Sequence, residues 1–231
     1  MKRRINKTYN LAIETTGRIC GVAISDNNSI IYESNLDLGL NHSVTLFNNI
    51  YDGVKKLGIS FSNMNLIKVS MGPGSFTGIR IGIATALGIS IPNDIPIEYV
   101  DTLDSLSHNN VNNSANYVLS MIDARANRVY FGFYENKSYR KLVSDYIINV
   151  KDLIKLLNKH FCNKNISFIF IGDGAVKYKD LFAESLKVSY SIMKTNNELK
   201  ASSLLLTKGA TSKEPIMNYM LASKAERERN G

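Results

Sequence analysis

At the start of the chain, apolar residues come in short bursts separated by a few polar ones. Residues 10–15, 19–25 and 29–33 read as three strands, and the brief breaks between them predict antiparallel neighbours. Asp26, Asn27 and Asn28 suit a tight hairpin, since Asn and Asp tolerate positive φ. The period then changes. Val44, Phe47, Ile50 or Tyr51, Val54 and Leu57 recur every three to four residues and predict a helix over 42–57 that Gly58 ends. Residues 66–71 read as a strand buried on both faces, and a Gly-rich turn leads into a second helix over 78–91 that Pro92 closes. Linked strands followed by helix, strand and helix predict a mixed sheet covered by helices, an α/β fold.

Residues 97–100 read as a short strand and 102–108 as a short helix. Asn109, Asn110, Asn112, Asn113 and Ser114 form the most loop-like stretch, which predicts a lobe over 1–110 and a smaller one over 111–231. Within the second, 117–123 and 129–134 read as strands joined by a polar turn. Leu153, Leu156, Leu157 and Phe161 mark a helix over 152–161, and 166–171 is a strand running into Gly172 and Gly174. The second half thus repeats the layout of the first without a strict sequence repeat. The tail carries Lys224, Glu226, Arg227, Glu228 and Arg229 and reads as a solvated stretch.

Composition narrows the class. With 231 residues and 44% hydrophobic content the chain can bury a core. The uncharged run after Arg80 spans about a dozen residues, short of the roughly 20 that cross a bilayer. Lys2, Arg3 and Arg4 imitate the start of a signal peptide, but Glu14 interrupts the apolar stretch behind them. The expectation is a cytoplasmic protein with no membrane partner. Cys20 and Cys162 stand far apart, with neither the count for a disulfide framework nor the spacing for zinc. The net charge of +8 is uneven: residues 1–110 hold 9 Lys and Arg against 9 Asp and Glu, and residues 111–231 hold 19 against 11. A basic second half is either a Lys-rich solvated surface or a means of concentrating a polyanion such as RNA.

The segment 72–82, GPGSFTGIRIG, carries the most chemical information. Its glycines permit turns closed to other residues, Ser75 and Thr77 can cap amides, and a helix N-terminus favours an anion. The spacing and Lys of a Walker A loop are missing, so a tight strand-to-helix joint is the alternative. Along the following helix Gly78, Gly82, Ala86 and Ser90 form a stripe of small side chains. Another backbone can approach it closely, either the chain's own sheet or a second subunit. His42, His108 and His160 are far apart, and Leu46 stands where a second imidazole would share a helix face with His42. Glu14 and Asp123, each ending a strand, either face a cleft or orient turns. Arg125 and Arg128 lie in a polar turn, where they either bind an anion or stay solvated.

LAIETT at 11–16, residues 20–25, NHS at 41–43, GPGSFTGIRIGIATALG at 72–88 and DARANRVYFGFY at 123–134 together resemble one family. It is TsaB, also called YeaZ, the bacterial paralogue of the threonylcarbamoyltransferase subunit TsaD. The likeness is strongest over about residues 10–135. GDGA at 172–175 and the region around 216–226 also fit. The resemblance implies a two-lobed actin-like ATPase fold with ribonuclease H-like sheets and a reduced second lobe. It implies a non-catalytic subunit in the formation of threonylcarbamoyladenosine on tRNA, paired through a helical bundle with TsaD. The partner TsaD would carry the metal and the transfer chemistry, and an ATPase called TsaE would act on the pair. By position, the bundle surface would comprise Val44, Phe47, Tyr51, Gly78, Ile81, Gly82, Thr85, Ala86 and Ile89. No cofactor would be held tightly by this chain. ATP or ADP would lie at the interface of the complex, with Thr15, Thr16, Gly72, Gly74, Ser75 and Arg125 as candidate anion contacts. Glu14 departs from the family's more frequent Asp. The tRNA would be met indirectly, and the same helix face would serve a homodimer when the chain is alone. The competing reading is a stand-alone metallopeptidase or a small ATPase of actin-like fold.

Overall fold

The computed structural model describes residues 8–37, 42–110 and 113–220. Asn41, Asn112, the basic start and the charged tail beyond residue 220 lie outside the described residues.

The chain forms two compact units. The first contains residues 1–101 and 200–218, the second 102–199 and 219–231. The boundary therefore falls at Asp101, and the chain returns to its first unit near the end, which corrects the expected division at residue 110. The physical reason is the side-chain bonding of the Asn-rich stretch. Asn109 Nδ2 donates to Glu198 O at 2.8 Å and Asn110 Nδ2 to Asn136 Oδ1 at 2.5 Å, and both residues are buried. A polar run that looks like a linker is stitched into the second unit.

In the first unit, β1 (Tyr9–Glu14), β2 (Cys20–Asp26) and β3 (Ser29–Leu36) are antiparallel neighbours, as expected from their short connections. After α1 (His42–Lys56), β4 (Met64–Ser70) lies parallel to β1. After α2 (Phe76–Asn93), β5 (Ile97–Val100) lies parallel to β4. Pro92 sits inside the last turn of α2, which ends at Asp94 in the left-handed conformation. Register decides which helix meets which face, because successive side chains of a strand alternate. Ile13 and Val69 are paired and meet α2 at Gly82, whereas Ala12 and Ala23 are paired and pack against Ala201 and Leu204 of α7 (Ala201–Leu206). A two-residue strand, Ala210–Thr211, completes the sheet on the edge of β5.

The second unit repeats the order. α3 (Thr102–Ser107) precedes β6 (Tyr117–Asp123), β7 (Arg128–Glu135) and β8 (Lys141–Asn149). α4 (Val150–Phe161), β9 (Ser167–Ile171), α5 (Asp173–Lys177), α6 (Lys179–Ser185) and β10 (Ser189–Ile192) follow. The strands run β10-β9-β6-β7-β8, matching β5-β4-β1-β2-β3 of the first unit. Leu119, Met121, Phe168 and Phe170 pack beneath α4 and α6, and Val118, Ile122, Ile169 and Ile171 meet α3 on the other face. No described helix is long and apolar enough to cross a membrane.

Candidate functional site

The loop between β4 and α2 closes against the β1–β2 turn. Ser75 caps α2 through its Oγ, which accepts from Gly78 N at 3.2 Å, and Ser75 N donates to Thr16 O at 2.7 Å. Gly72 sits at φ +101, open only to glycine at little cost. Thr15 Oγ1 donates to Gly78 O at 2.8 Å, and Thr16 N and Oγ1 both donate to Glu14 Oε1, at 2.7 and 2.5 Å. Thr15, Thr16, Gly72, Gly74 and Ser75 are therefore brought together as the anion reading expected. The Thr15 and Ser75 side chains and the Thr16 carbonyl, however, bond within the loop and its helix start, which is the arrangement of a tight joint. Arg125 is a residue of the other unit, in the β6–β7 turn.

Glu14 is wholly buried here, and its Oε2 has no hydrogen-bond partner among the described residues. Burial pushes its carboxyl above the ordinary carboxylate range, against the pull of the Thr16 hydrogen bonds. Beside it, burial also raises the Cys20 thiol; a hydrogen bond with Thr45 opposes this and the Glu14 charge adds to it. Such a thiol is a poor nucleophile. His42 Nε2 lies 3.1 Å from Gly17 O, so its ring anchors the β1–β2 turn to α1.

In the second unit, Asp123 accepts from Lys177 Nζ at 2.6 Å, Tyr178 OH at 3.2 Å and Arg125 N at 3.1 Å. Its carboxylate orients a turn, the plainer of the two expected roles. Arg125, Ala126 and Asn127 all take positive φ in succession, and the Arg125 side chain is exposed.

The expected partner surface divides in two. Gly78, Gly82, Ala86 and Ile89 are buried in their own unit, which corrects their assignment to a partner surface. A Cβ on Gly78 would collide with Thr15 O, and one on Gly82 with Thr15 Oγ1. The small-residue stripe exists because α2 lies close against β1, where only small side chains fit. Val44, Phe47 and Tyr51 instead point outward from α1, with exposures of 72%, 49% and 50%, while Leu46, Ile50 and Val54 face the sheet. Ile81 and Thr85 are half-buried on α2.

Sequence reasoning missed the outward face of α2. Ala84, Gly88 and Ile91 are exposed there, Ile91 at 74%, and among the described residues nothing beyond the helix itself lies within 4 Å of where a Gly88 Cβ would be. The spacing Ala84, Gly88, Ile91 carried the signal, but α2 is apolar on nearly every side, so its period did not single out a buried face. α1 and α2 are neighbours, and Phe47 meets Phe61, which belongs to a short turn packed on α2, at 6.1 Å between ring centroids. Each of the two neighbouring helices thus exposes apolar residues outward, with the exposed Arg80 one turn before Ala84 on α2.

Two units of matching strand order define an actin-like ATPase fold, and the comparisons with known proteins agree. The structure is similar to YeaZ from Pseudomonas aeruginosa, with a TM-score of 0.72, 22% identity and coverage of 86% of this chain and 89% of that one. It is also similar to ethanolamine utilization protein EutJ from Carboxydothermus hydrogenoformans, with a TM-score of 0.53, 9% identity and coverage of 86% and 89%. In sequence, the family described as TsaD, tRNA N6-adenosine threonylcarbamoyltransferase, matches residues 38–229. The tRNA threonylcarbamoyladenosine biosynthesis protein TsaB of Bacillus subtilis is 28% identical over 178 residues, 76% of each chain. TsaB of Buchnera aphidicola subsp. Schizaphis graminum is 30% identical over 190 residues, 78% of this chain and 87% of that one. The chain belongs to the TsaD family and, within it, to the TsaB (YeaZ) group.

Proposed function

We propose that this chain is a non-catalytic subunit in the formation of threonylcarbamoyladenosine on tRNA, docking onto a TsaD-like catalytic subunit through the outward face of α1 and α2. The observation that carries the reading is Gly88. A glycine inside a helix costs about 1 kcal/mol relative to alanine. Among the described residues, nothing beyond its own helix lies within 4 Å of where a Cβ on this one would be. A partner backbone lying close against Ala84 and Gly88, flanked by Val44, Phe47, Tyr51 and Ile91, accounts for both the missing side chain and the uncovered apolar ones. The non-catalytic role is supported by the inward bonding of Thr15, Thr16 and Ser75 and by the poorly reactive environment of Cys20. On this reading the metal and the transfer chemistry belong to the catalytic partner, a TsaE-like ATPase acts on the pair, and tRNA is met through the complex.

The test is co-elution of purified chain with a TsaD homologue. Phe47→Glu and Gly88→Leu change solvent-facing positions, so both variants are expected to stay folded and to lose the complex. Retention of the complex by both overturns the docking assignment. If the wild-type chain alone sediments as a dimer that both variants abolish, the same face also pairs with its own copy.

A further inference from the structure

Charge is uneven between the two units. The described part of the first unit holds 8 Lys and Arg against 9 Asp and Glu, whereas residues 102–199 hold 13 against 9. Part of the second unit's cationic charge is neutralised locally, as in the pairing of Lys141 with Asp104 and Asp145 and of Lys177 with Asp123. Most of the remainder is scattered over turns and strands, but three lysines lie in a line on one helix. Lys151, Lys155 and Lys159 fall at i, i+4 and i+8 of α4 and are all exposed. Four residues of helix rise about 6 Å, so the three ammonium groups form a row along the helix axis. Of the three, only Lys155 has a carboxylate partner among the described residues, Asp152 at 3.0 Å. Asn158 then clamps the next segment beside the row: its Nδ2 donates to Ser185 O at 2.9 Å and its Oδ1 accepts from Lys187 N at 2.7 Å. Lys187, also exposed, thereby joins the same side of α4.

We infer that this lysine row on α4, with Lys187 beside it, is a contact surface for the phosphate backbone of RNA. Flexible ammonium groups spaced along a straight element, two of the three without a carboxylate partner among the described residues, suit a ladder of phosphates read by charge and not by sequence. The opposite flank of α4 is apolar where it meets the sheet, through Leu153 and Leu157, so the helix is held rigid while the row faces solvent. The inference stands on a different unit from the docking face, and it adds a direct RNA contact to the indirect one proposed above.

Binding of unfractionated tRNA by the full chain, measured between 50 and 200 mM salt, tests it. The wild type is expected to bind with an affinity that falls steeply with salt. Lys151→Glu with Lys159→Glu is expected to weaken binding at 50 mM by about tenfold or more and to flatten the log–log salt slope by about 1.5–2. Gln at both positions, which spares the α4 C-terminus a misplaced negative charge, is expected to flatten it in the same direction. Lys208→Glu with Lys213→Glu, exposed in the first unit and equal in charge change, is the control and is expected to leave binding near wild type. Three results overturn the inference: no retention of tRNA by the wild type at 50 mM, wild-type affinity in the α4 variants, or equal loss in the control. Co-elution with the TsaD homologue is expected to survive the α4 changes. A failed docking assignment would therefore show in Phe47→Glu alone and a failed RNA contact in the α4 variants alone.

Discussion

Glu14 is the residue whose environment most differs from its chemistry. It ends β1 wholly buried, with one carboxylate oxygen holding Thr16 and the other unpartnered among the described residues. Because burial raises its pKa, the native state retains a proton that the unfolded chain releases. The resulting stabilisation is whole below the ordinary carboxylate value of about 4.3 and fades as pH rises through the raised one. Glu14→Gln keeps the Oε1 acceptor and cannot ionise. Its melting temperature is expected to gain on that of the wild type by several degrees between pH 5 and pH 8, as thermal unfolding at each pH would show. Parallel curves would mean that Glu14 does not titrate in this range. Position 14 was readable in the sequence as a strand-end carboxylate, but not as a buried one, since that depends on tertiary packing that no local pattern announces.

At the level of single elements, α2 carries two small-residue rows with opposite meanings. Gly78 faces β1, where an added Cβ would meet the Thr15 carbonyl, and Gly88 faces outward, its Cβ position clear of other described residues to 4 Å. Gly78→Ala is expected to destabilise the protein by about 1–3 kcal/mol through overpacking. Gly88→Ala is expected to stabilise the isolated chain by about 0.5–1 kcal/mol through helix propensity. Thermal or urea unfolding of the two variants should move in opposite directions. The same contrast explains what the sequence disclosed. Strands β1 to β5 and helix α1 were legible from period and breakers, and α2 from its length and the Gly-rich turn before it. The inward face of α2 was not, because Ile79, Ile83 and Ile89 on one side are matched by Ile81, Leu87 and Ile91 on the other. On α1 the expected stripe mixed two faces: Ile50 and Val54 point in, whereas Val44, Phe47 and Tyr51 point out. β8 left no clean alternation to read, being a sheet edge with half-buried residues on both sides.

For the molecule as a whole, the decisive fact is that the first unit is discontinuous. α7 covers Ala12, Ala23 and Val100, and Lys68 Nζ, paired with Glu98 at 2.9 Å, also donates to Thr207 O at 2.7 Å. Asn218 N reaches Met71 O at 2.7 Å, next to the loop that starts α2. A fragment of residues 1–110 lacks α7 and the bonds to Thr207 and Asn218 and is expected to be insoluble or molten, whereas residues 102–199 contain their own sheet and both of its helical layers and are expected to fold alone. Circular dichroism and exchange protection of the two fragments would decide, and a stable 1–110 fragment would refute the argument. No composition shift announces the return of the chain at residue 200, because a short helix such as Ala201–Leu206 has too few turns to show a period.

That return has a consequence for synthesis on the ribosome. The strands and helices that build most of the first sheet emerge by residue 101, yet the helix that seals its far side is encoded about a hundred residues later. At about 5–20 residues per second the nascent sheet waits roughly 5–20 s with Ala12 and Ala23 open to water. During that interval the intervening unit is completed. The later-encoded unit is then finished first, and the docking face of α1 and α2 is mounted on a sheet that closes only in the last stages of translation.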